Sequence, residues 1–368
     1  MSTTTYGVND AMAVKLWSKK LAVEALKATA IAPLIGSSAD SVIQLKTELN
    51  KGPGDRVTFG LRTQLTGDGV TEGETLEGNE ESLTTYSDNL LINELHHAVR
   101  VRSENRIDQK RVPFNLRDEA KSGLRDWYAK RMSVSFFNQV CGNTATSGSG
   151  APSSSKYTGL NAALAPSTSR RFACNATTTT ADESLGSSDK FQLKYLDYAV
   201  EIAKTSTATT GPIRPIMIGG EEKYVAYLHP YQVTDLRTDA STAGNWFDIQ
   251  KAGLQGGQIS KNPIYTGALG EYNNVILRSA FDVCNGINSS TGAAIATVKR
   301  AVFLGAQAAV AAFGNQSDES SFDWIEELFD YERELGISAQ SMFGMKKTQF
   351  NSVDFGVITL SSYAAAHA

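Results

Sequence analysis

The chain has 368 residues, 41% of them hydrophobic and 20% charged, with a net charge of −4 and a pI near 5.7. That length exceeds one small core and calls for two or more packed units. The acidic balance argues against a protein that holds nucleic acid by neutralising phosphates, a local basic patch aside.

Three separated cysteines, Cys141, Cys174 and Cys284, make neither a disulfide framework nor a CxxC metal site, and read as free or buried thiols of a reducing compartment. The opening MSTTTYGVND has no basic segment ahead of an apolar run, so no secretory signal is expected. The longest apolar run, 301–313, contains Gln307 and is too short to span a bilayer.

In chain order, 1–50 reads as an arm. Met12, Leu16, Leu21 and Leu26 give 11–30 a moderately amphipathic helical pattern, broken by Pro33 and Gly36, with too little apolar surface for a core of its own. KGPGD at 51–55 is turn chemistry, after which Val57, Phe59, Leu61 and Leu65 alternate with polar residues as a strand does. A Gly-rich acidic stretch, 67–82, carries Asp68, Glu72, Glu74, Glu77, Glu80 and Glu81 and no cation; Leu91, Leu95, Val99 and Val101 then resume the alternation. The expectation is a long β-hairpin over 51–102 with an acidic tip. Such a ribbon is marginal alone in water and rests on a partner.

The segment 115–142 predicts one long helix, the spine of the molecule. Asn115 caps it, Asp118 sits at the capping-box position, and Gly142 offers the left-handed stop. Leu116, Ala120, Leu124 and Trp127 form one stripe, and Tyr128, Met132, Phe136 and Val140 a second beside it. At 1.5 Å per residue the helix spans roughly 40 Å. From 144 to 188, 18 of 45 residues are Ser or Thr and five are charged, which predicts a surface insertion poorly suited to packing.

Asp189 caps a predicted helix over 189–204. Strand-like 215–219 and 223–228, a helix at 230–238 opening on Pro230, a short helix at 245–254, the loop GLQGGQISKNP, a strand at 272–278 and an apolar strand or helix at 299–313 then make an α+β unit over 205–318. Three strands in 319–368 are expected to return to the spine helix.

Catalytic patterns are missing: no phosphate loop, no GxSxG elbow, no strand-borne GxGxxG. Of the four histidines, His96 and His97 are strand neighbours and point to opposite faces. The acidic tip fails as a calcium loop, because Val70 occupies an oxygen position and Asn79 stands for the bidentate glutamate. No catalytic, cofactor or metal residue is assigned, and the expectation is a protein that is not an enzyme.

Arm, acidic hairpin, spine helix, α+β domain and returning strands together resemble the major capsid proteins of tailed bacteriophages, the Hong Kong 97 fold. The chain is most similar to the coliphage N-four type, through LLINELHHAVRVRSENRIDQKRVPFNLRDEAKSGLRDWYAKRMSVSFFNQVCG at 90–142 and FDYERELGISAQSMFGMKKTQF with DFGVITL at 329–360. The resemblance implies an α+β class. It implies an N-terminal arm (1–50), an E-loop hairpin (51–102), a P-domain with the spine helix (103–204), an A-domain (205–318) and return strands (319–368). It also implies an icosahedral shell of hexamers and pentamers around double-stranded DNA read without sequence specificity, portal, scaffolding and decoration proteins, no membrane, and assembly in the host cytoplasm. The family's type member joins its subunits through a hairpin lysine and a neighbour's asparagine; this chain has no lysine from 52 to 109.

The candidate inter-subunit residues follow from charge. The tip acids Asp68, Glu72, Glu74 and Glu77 need a basic partner. The richest basic run is Arg100, Arg102, Arg106, Lys110 and Arg111, followed by Arg117, Lys121 and Arg125 at four-residue spacing on the helix, where like charges repel unless an acid lies across them. The alternative is a solvated tip, with the arginines meeting local acids such as Glu104, Asp108 and Asp118. Two other classes stay open: a surface-layer or compartment shell protein, and an enzyme whose site is assembled from dispersed residues.

Overall fold

The computed structural model describes residues 24–25, 29, 31–46, 54–62, 69–80, 85–102, 110–151, 160–175, 181–205, 211–239, 269–314, 322–331 and 333–367. The strands are β1 (Ile35–Gly36), β2 (Ile43–Lys46), β3 (Arg56–Arg62), β4 (Thr85–Leu91), β5 (Asn93–Arg102) and β6 (Arg171–Ala173). Then come β7 (Ile216–Ile218), β8 (Glu221–Leu228), β9 (Glu271–Tyr272), β10 (Val275–Ser279), β11 (Asn285–Ile287) and β12 (Ala294–Leu304). The last are β13 (Ala309–Gly314), β14 (Phe322–Phe329), β15 (Glu334–Lys347), β16 (Gln349–Phe350), β17 (Val353–Asp354) and β18 (Val357–Tyr363). The helices are α1 (Leu116–Val140), α2 (Lys194–Lys204) and α3 (Pro230–Thr238). Expected helices at 11–30 and 245–254, and the loop GLQGGQISKNP, lie wholly or mostly outside the described residues.

The spine helix forms as its caps dictate. The Asn115 side chain accepts from the Arg117 N–H at 2.9 Å, and Asp118 and Glu119 set negative charge against the helix N-terminus. At the other end Gly142, at φ 63, donates to Gln139 O at 3.1 Å while Asn143 donates to Asn138 O at 2.9 Å. This paired closure satisfies two carbonyls that the helix leaves over. A Cβ at 142 would sit 2.6 Å from the Leu164 carbonyl oxygen, so only glycine fits.

A six-stranded sheet lies against the first half of α1. Its axis is β15, which pairs with β5 along one edge and with β14 and then β13 along the other. Leu124, Tyr128 and Met132 of the helix bury against Phe322, Trp324, Leu335 and Ile337. The Tyr128 hydroxyl lies 2.9 Å from the Leu95 carbonyl and 2.7 Å from that of Ala339, so one side chain ties helix, β5 and β15 together.

The hairpin is shorter than its alternation suggests. Among the described residues β3 pairs only with β4, from Arg56 opposite Leu91 to Arg62 opposite Thr85; β5 leaves it and joins β15. The chain changes partners at Ile92, whose N–H bonds Asp55 O at 2.9 Å. There the backbone passes so close to β15 that a Cβ on Gly344 would meet the Leu91 oxygen at 2.2 Å. The expected hairpin over 51–102 is therefore corrected to β3 and β4.

An eight-stranded sheet forms the second layer, with β12 between β18 and β8. The segment 299–313, expected as one strand or helix, is two strands. β12 belongs to the eight-stranded sheet and β13 to the six-stranded one, with Gln307 in a left-handed turn (φ 53) between them. The α+β unit therefore gives up β13, and 205–318 overstates it. Of the returning strands, β14 and β15 do meet the spine, but β18 pairs with β12 and β6 in the other sheet. The strand predicted at 272–278 forms over 275–278 as part of β10, while Tyr272 ends β9 and Asn273 and Asn274, at φ 47 and 60, make the turn between them.

α2 starts later than expected. The Asp189 carboxylate accepts from Gly186 N–H at 2.8 Å and closes the preceding turn instead of capping the helix. α3 keeps its expected start, with His229 Nδ1 accepting from Tyr231 N–H at 3.2 Å and the Gln232 side chain accepting from His229 N–H at 2.9 Å.

The Ser/Thr-rich 144–188 stretch is exposed at 146–150 and 186–188, as expected, but other parts of it are packed. β6 is a strand of the eight-stranded sheet, and Asn161, Arg170, Phe172 and Asp182 are buried. Burial pushes the Asp182 carboxyl up, but the Arg300 and Arg171 guanidinium groups and the Ile287 amide outweigh it and hold it below its ordinary range. Arg300 in turn donates to Gly142 O at 2.9 Å and Cys141 O at 3.3 Å, at the end of α1. Lys347 and Asp354 form a second buried pair at 2.9 Å.

Candidate assembly interface

The acidic tip is a self-contained turn. Glu74 accepts from Thr71 N–H at 3.0 Å, Glu80 from Gly78 N–H at 2.8 Å, and the Asn79 amide donates to Thr75 O at 2.9 Å. Glu72, Glu74 and Glu77 are exposed, as is Leu76 at 59%. Asp68 lies outside the described residues.

The base of the hairpin is pinned. Val57, Phe59 and Leu90 bury against Val310 and Ala312. Lys346 Nζ reaches Asp88 at 2.5 Å and Asn89 O at 3.0 Å. The Asn161 side chain pairs with Leu91 as a strand would, accepting from its N–H at 3.0 Å and donating to its carbonyl at 2.7 Å. A fixed base and an exposed charged tip make a lever suited to contact outside its own chain.

The helix cations each have an acid within the chain. Arg117 meets Glu326 at 2.5 Å, Lys121 lies 3.9 Å from Asp118 and over the Trp324 ring at 5.8 Å, and Arg125 meets Asp126 at 2.9 Å and Glu24 at 3.8 Å. Hydrogen bonding and charge from Asp126 push Arg125 up. Glu326 is buried, Arg125 is about one-third exposed, and Lys121 keeps 11% of its side chain open.

Arg100 and Arg102 do not join that column. Leu95, Val99 and Val101 pack toward α1, and His97 stacks on Trp127 at 4.2 Å. Strand alternation therefore turns Glu94, His96, Ala98, Arg100 and Arg102 to the opposite sheet face. There Arg100 pairs with Glu334 at 2.5 Å and lies 4.4 Å from the Phe329 ring centre, while His96 meets Glu94 at 2.9 Å. The two basic groups, expected as one surface, sit on two faces; Arg106 lies outside the described residues.

The anchoring groups Asp88, Lys346, Asn161 and Glu326 escaped the sequence reading. Only Glu326 left a signal: alternation in β14 puts it on the face of Phe322 and Trp324. Among the described residues no His, Cys, Asp and Glu cluster could hold a metal ion, and no helix is long and apolar enough to cross a membrane.

Comparison with known proteins gives the class. A family model described as "Phage capsid protein" matches residues 5–366, and the chain belongs to that family. The major capsid protein of Pseudomonas phage KPP25 is 30% identical over 371 residues, covering 95% of this chain and 94% of that one. The capsid of Ralstonia phage GP4 superposes with a TM-score of 0.77 at 31% identity, over 100% of both chains. The Cyanophage Pam1 capsid asymmetric unit, 19% identical with a TM-score of 0.69 over 93% of each chain, shares the fold. The fold is of the Hong Kong 97 type, and the chain is a major capsid protein of a tailed phage, a structural subunit of the virion shell.

Proposed function

We propose that each subunit lays its acidic hairpin tip, Glu72, Glu74 and Glu77 with Asp68, across the Arg117, Lys121 and Arg125 column of a neighbour's spine helix. In this reading β3 and β4 are the E-loop, the six-stranded sheet with α1 is the P-domain and the eight-stranded sheet is the A-domain. The observation that carries it is the lever: a hairpin pinned at its base by Asp88, Lys346 and Asn161 and exposed at its tip. Each exposed pair is worth only about 0.2–1 kcal/mol, but repetition by symmetry multiplies the effect.

Charge reversal tests it. Glu72→Lys, Glu74→Lys and Glu77→Lys together weaken particle assembly, and Lys121→Glu with Arg125→Glu restores part of it. Arg117 is left alone because a glutamate there would face buried Glu326. Normal assembly of the triple variant, or no rescue, removes the contact.

The wider reading is a closed shell of hexamers and pentamers around double-stranded DNA, built in the host cytoplasm with portal, scaffolding and decoration proteins. We place the chain within the coliphage N-four type on the stretches at 90–142 and 329–360. With no lysine from 52 to 109, the hairpin forms no isopeptide link to a neighbour. Mature particles boiled in denaturant then run as one monomer band, and a covalent ladder contradicts this.

A further inference from the structure

Two of the three cysteines, far apart in sequence, come together in the fold. Cys141 ends α1 and Cys284 stands directly before β11, and both lie in the buried apolar cluster that joins the two sheets. Their neighbourhood is fixed from several sides. The Arg300 N–H donates to Cys284 O at 3.0 Å, and the Arg300 carbonyl accepts from the Cys141 thiol at 3.5 Å. The Cys284 thiol donates to Asn138 Oδ1 at 3.3 Å, and Asn138 stands three residues before Cys141 on the helix. The two thiols are also in hydrogen-bond contact with each other. We propose that Cys141 and Cys284 are a redox pair, reduced while the subunit folds and closed to a disulfide by a peroxide in the finished particle, where the bond fastens the end of the spine helix to β11.

The two thiols are chemically unequal, as the step requires. Burial pushes the Cys141 thiol up, but the contact with Cys284 and the positive charges of Arg300 and Lys347 outweigh it and hold it below its ordinary range. Cys284 is held well above that range by its contact with Cys141 and by burial. Cys141 is therefore the thiolate that attacks. Its sulfur takes one oxygen of hydrogen peroxide, the O–O bond breaks, and the hydroxide released combines with the Cys141 proton as water. The Cys284 sulfur then attacks the Cys141 sulfur. The S–S bond forms, the S–O bond breaks, and the hydroxyl leaves with the Cys284 proton as a second water. Two thiols and one peroxide give one disulfide and two waters, with two electrons passing from sulfur to peroxide. Both cysteines are buried, so the oxidant has to be small, and hydrogen peroxide is. Cellular reductants keep such pairs open, and a particle outside the cell has left them behind. Cys174 lies in the other large cluster, under α2, and serves as the internal control.

The test uses unmodified particles purified under reductant and then treated with hydrogen peroxide. Denaturation, alkylation and digestion follow. Mass spectrometry is expected to find the Cys141 and Cys284 peptides linked, Cys174 alkylated, and the alkylatable thiols reduced from three per chain to one. The chain still runs as a monomer on a non-reducing gel, because the bond lies within one subunit. The temperature at which the particle comes apart rises on oxidation and returns with dithiothreitol. Neither change occurs in Cys284→Ser particles or, should that subunit not assemble, in Cys284→Ala particles. Three alkylatable thiols after peroxide, a link through Cys174, a dimer on the gel, or Cys141 carried on to sulfinic acid without a link each overturn the proposal. A link that leaves the dissociation temperature unchanged or lowers it overturns the fastening. None of these readouts depends on the tip acids, so the redox pair and the tip contact fail separately.

Discussion

The two halves of the spine helix live in different environments. Its first half, through Trp127, lies on one sheet and turns Lys121 and Arg125 toward the exposed acids Asp118 and Asp126 and Arg117 toward buried Glu326. From Ser135 to Val140 every residue is buried. There Phe136, Phe137 and Val140 share a cluster with Tyr227 and Val302 of the eight-stranded sheet and with Ala309, Ala311 and Met345 of the six-stranded one. One half presents charge and the other joins the two layers. Substitutions in the second half act on the joint between the layers and cost the subunit most, while those in the first half cost it less and, in the proposed contact, also act on assembly.

The sharpest way to break this contrast is Phe137→Ala, which opens a cavity between the sheets and costs about 3–5 kcal/mol. Urea unfolding of the unassembled subunit measures it. Asp182 tests the same end through pH. Its folded carboxyl titrates below the ordinary 3.8, so its stabilisation is complete above the unfolded value and is lost as pH falls through the folded one. Asp182→Asn lowers stability near neutrality and flattens the acid limb of the pH–stability curve. In the first half, Arg117→Ala removes the guanidinium 2.5 Å from buried Glu326, which keeps Trp324 Nε1 at 2.9 Å, costing about 1–3 kcal/mol in the same assay. Asn115→Ala removes the cap for about 1 kcal/mol, seen as earlier amide exchange in the first turn.

The helix was legible because its signals are local: a cap, a glycine stop and two apolar stripes. What failed to read depended on partners far away in sequence. Alternation runs unbroken through Ile92, yet the strand changes partners there, because Gly344, far along the chain, lets the backbone cross. The 301–313 run is buried on nearly all sides and so carries no period, and its one local turn signal, Gly305, sits two residues before Gln307, which takes the left-handed conformation. Ser/Thr richness hid Asp182 and Arg170, whose burial rests on Arg300 and on the Ile202 and Gly211 carbonyls. Allegiance of β18 was illegible because either sheet could have buried it. The tip acids and basic residues were visible as charge, but the split of the cations between two sheet faces required the register of β5.

Each sheet contains a strand from the last part of the chain. β15 holds β5, β13 and β14 together, and β18 lies between β6 and β12. During synthesis, then, neither sheet is complete until residues 334–363 leave the ribosome. A nascent or prematurely ended chain has no docked hairpin base, because Gly344 and Lys346 have not arrived to receive it. Such long-range closure is slow.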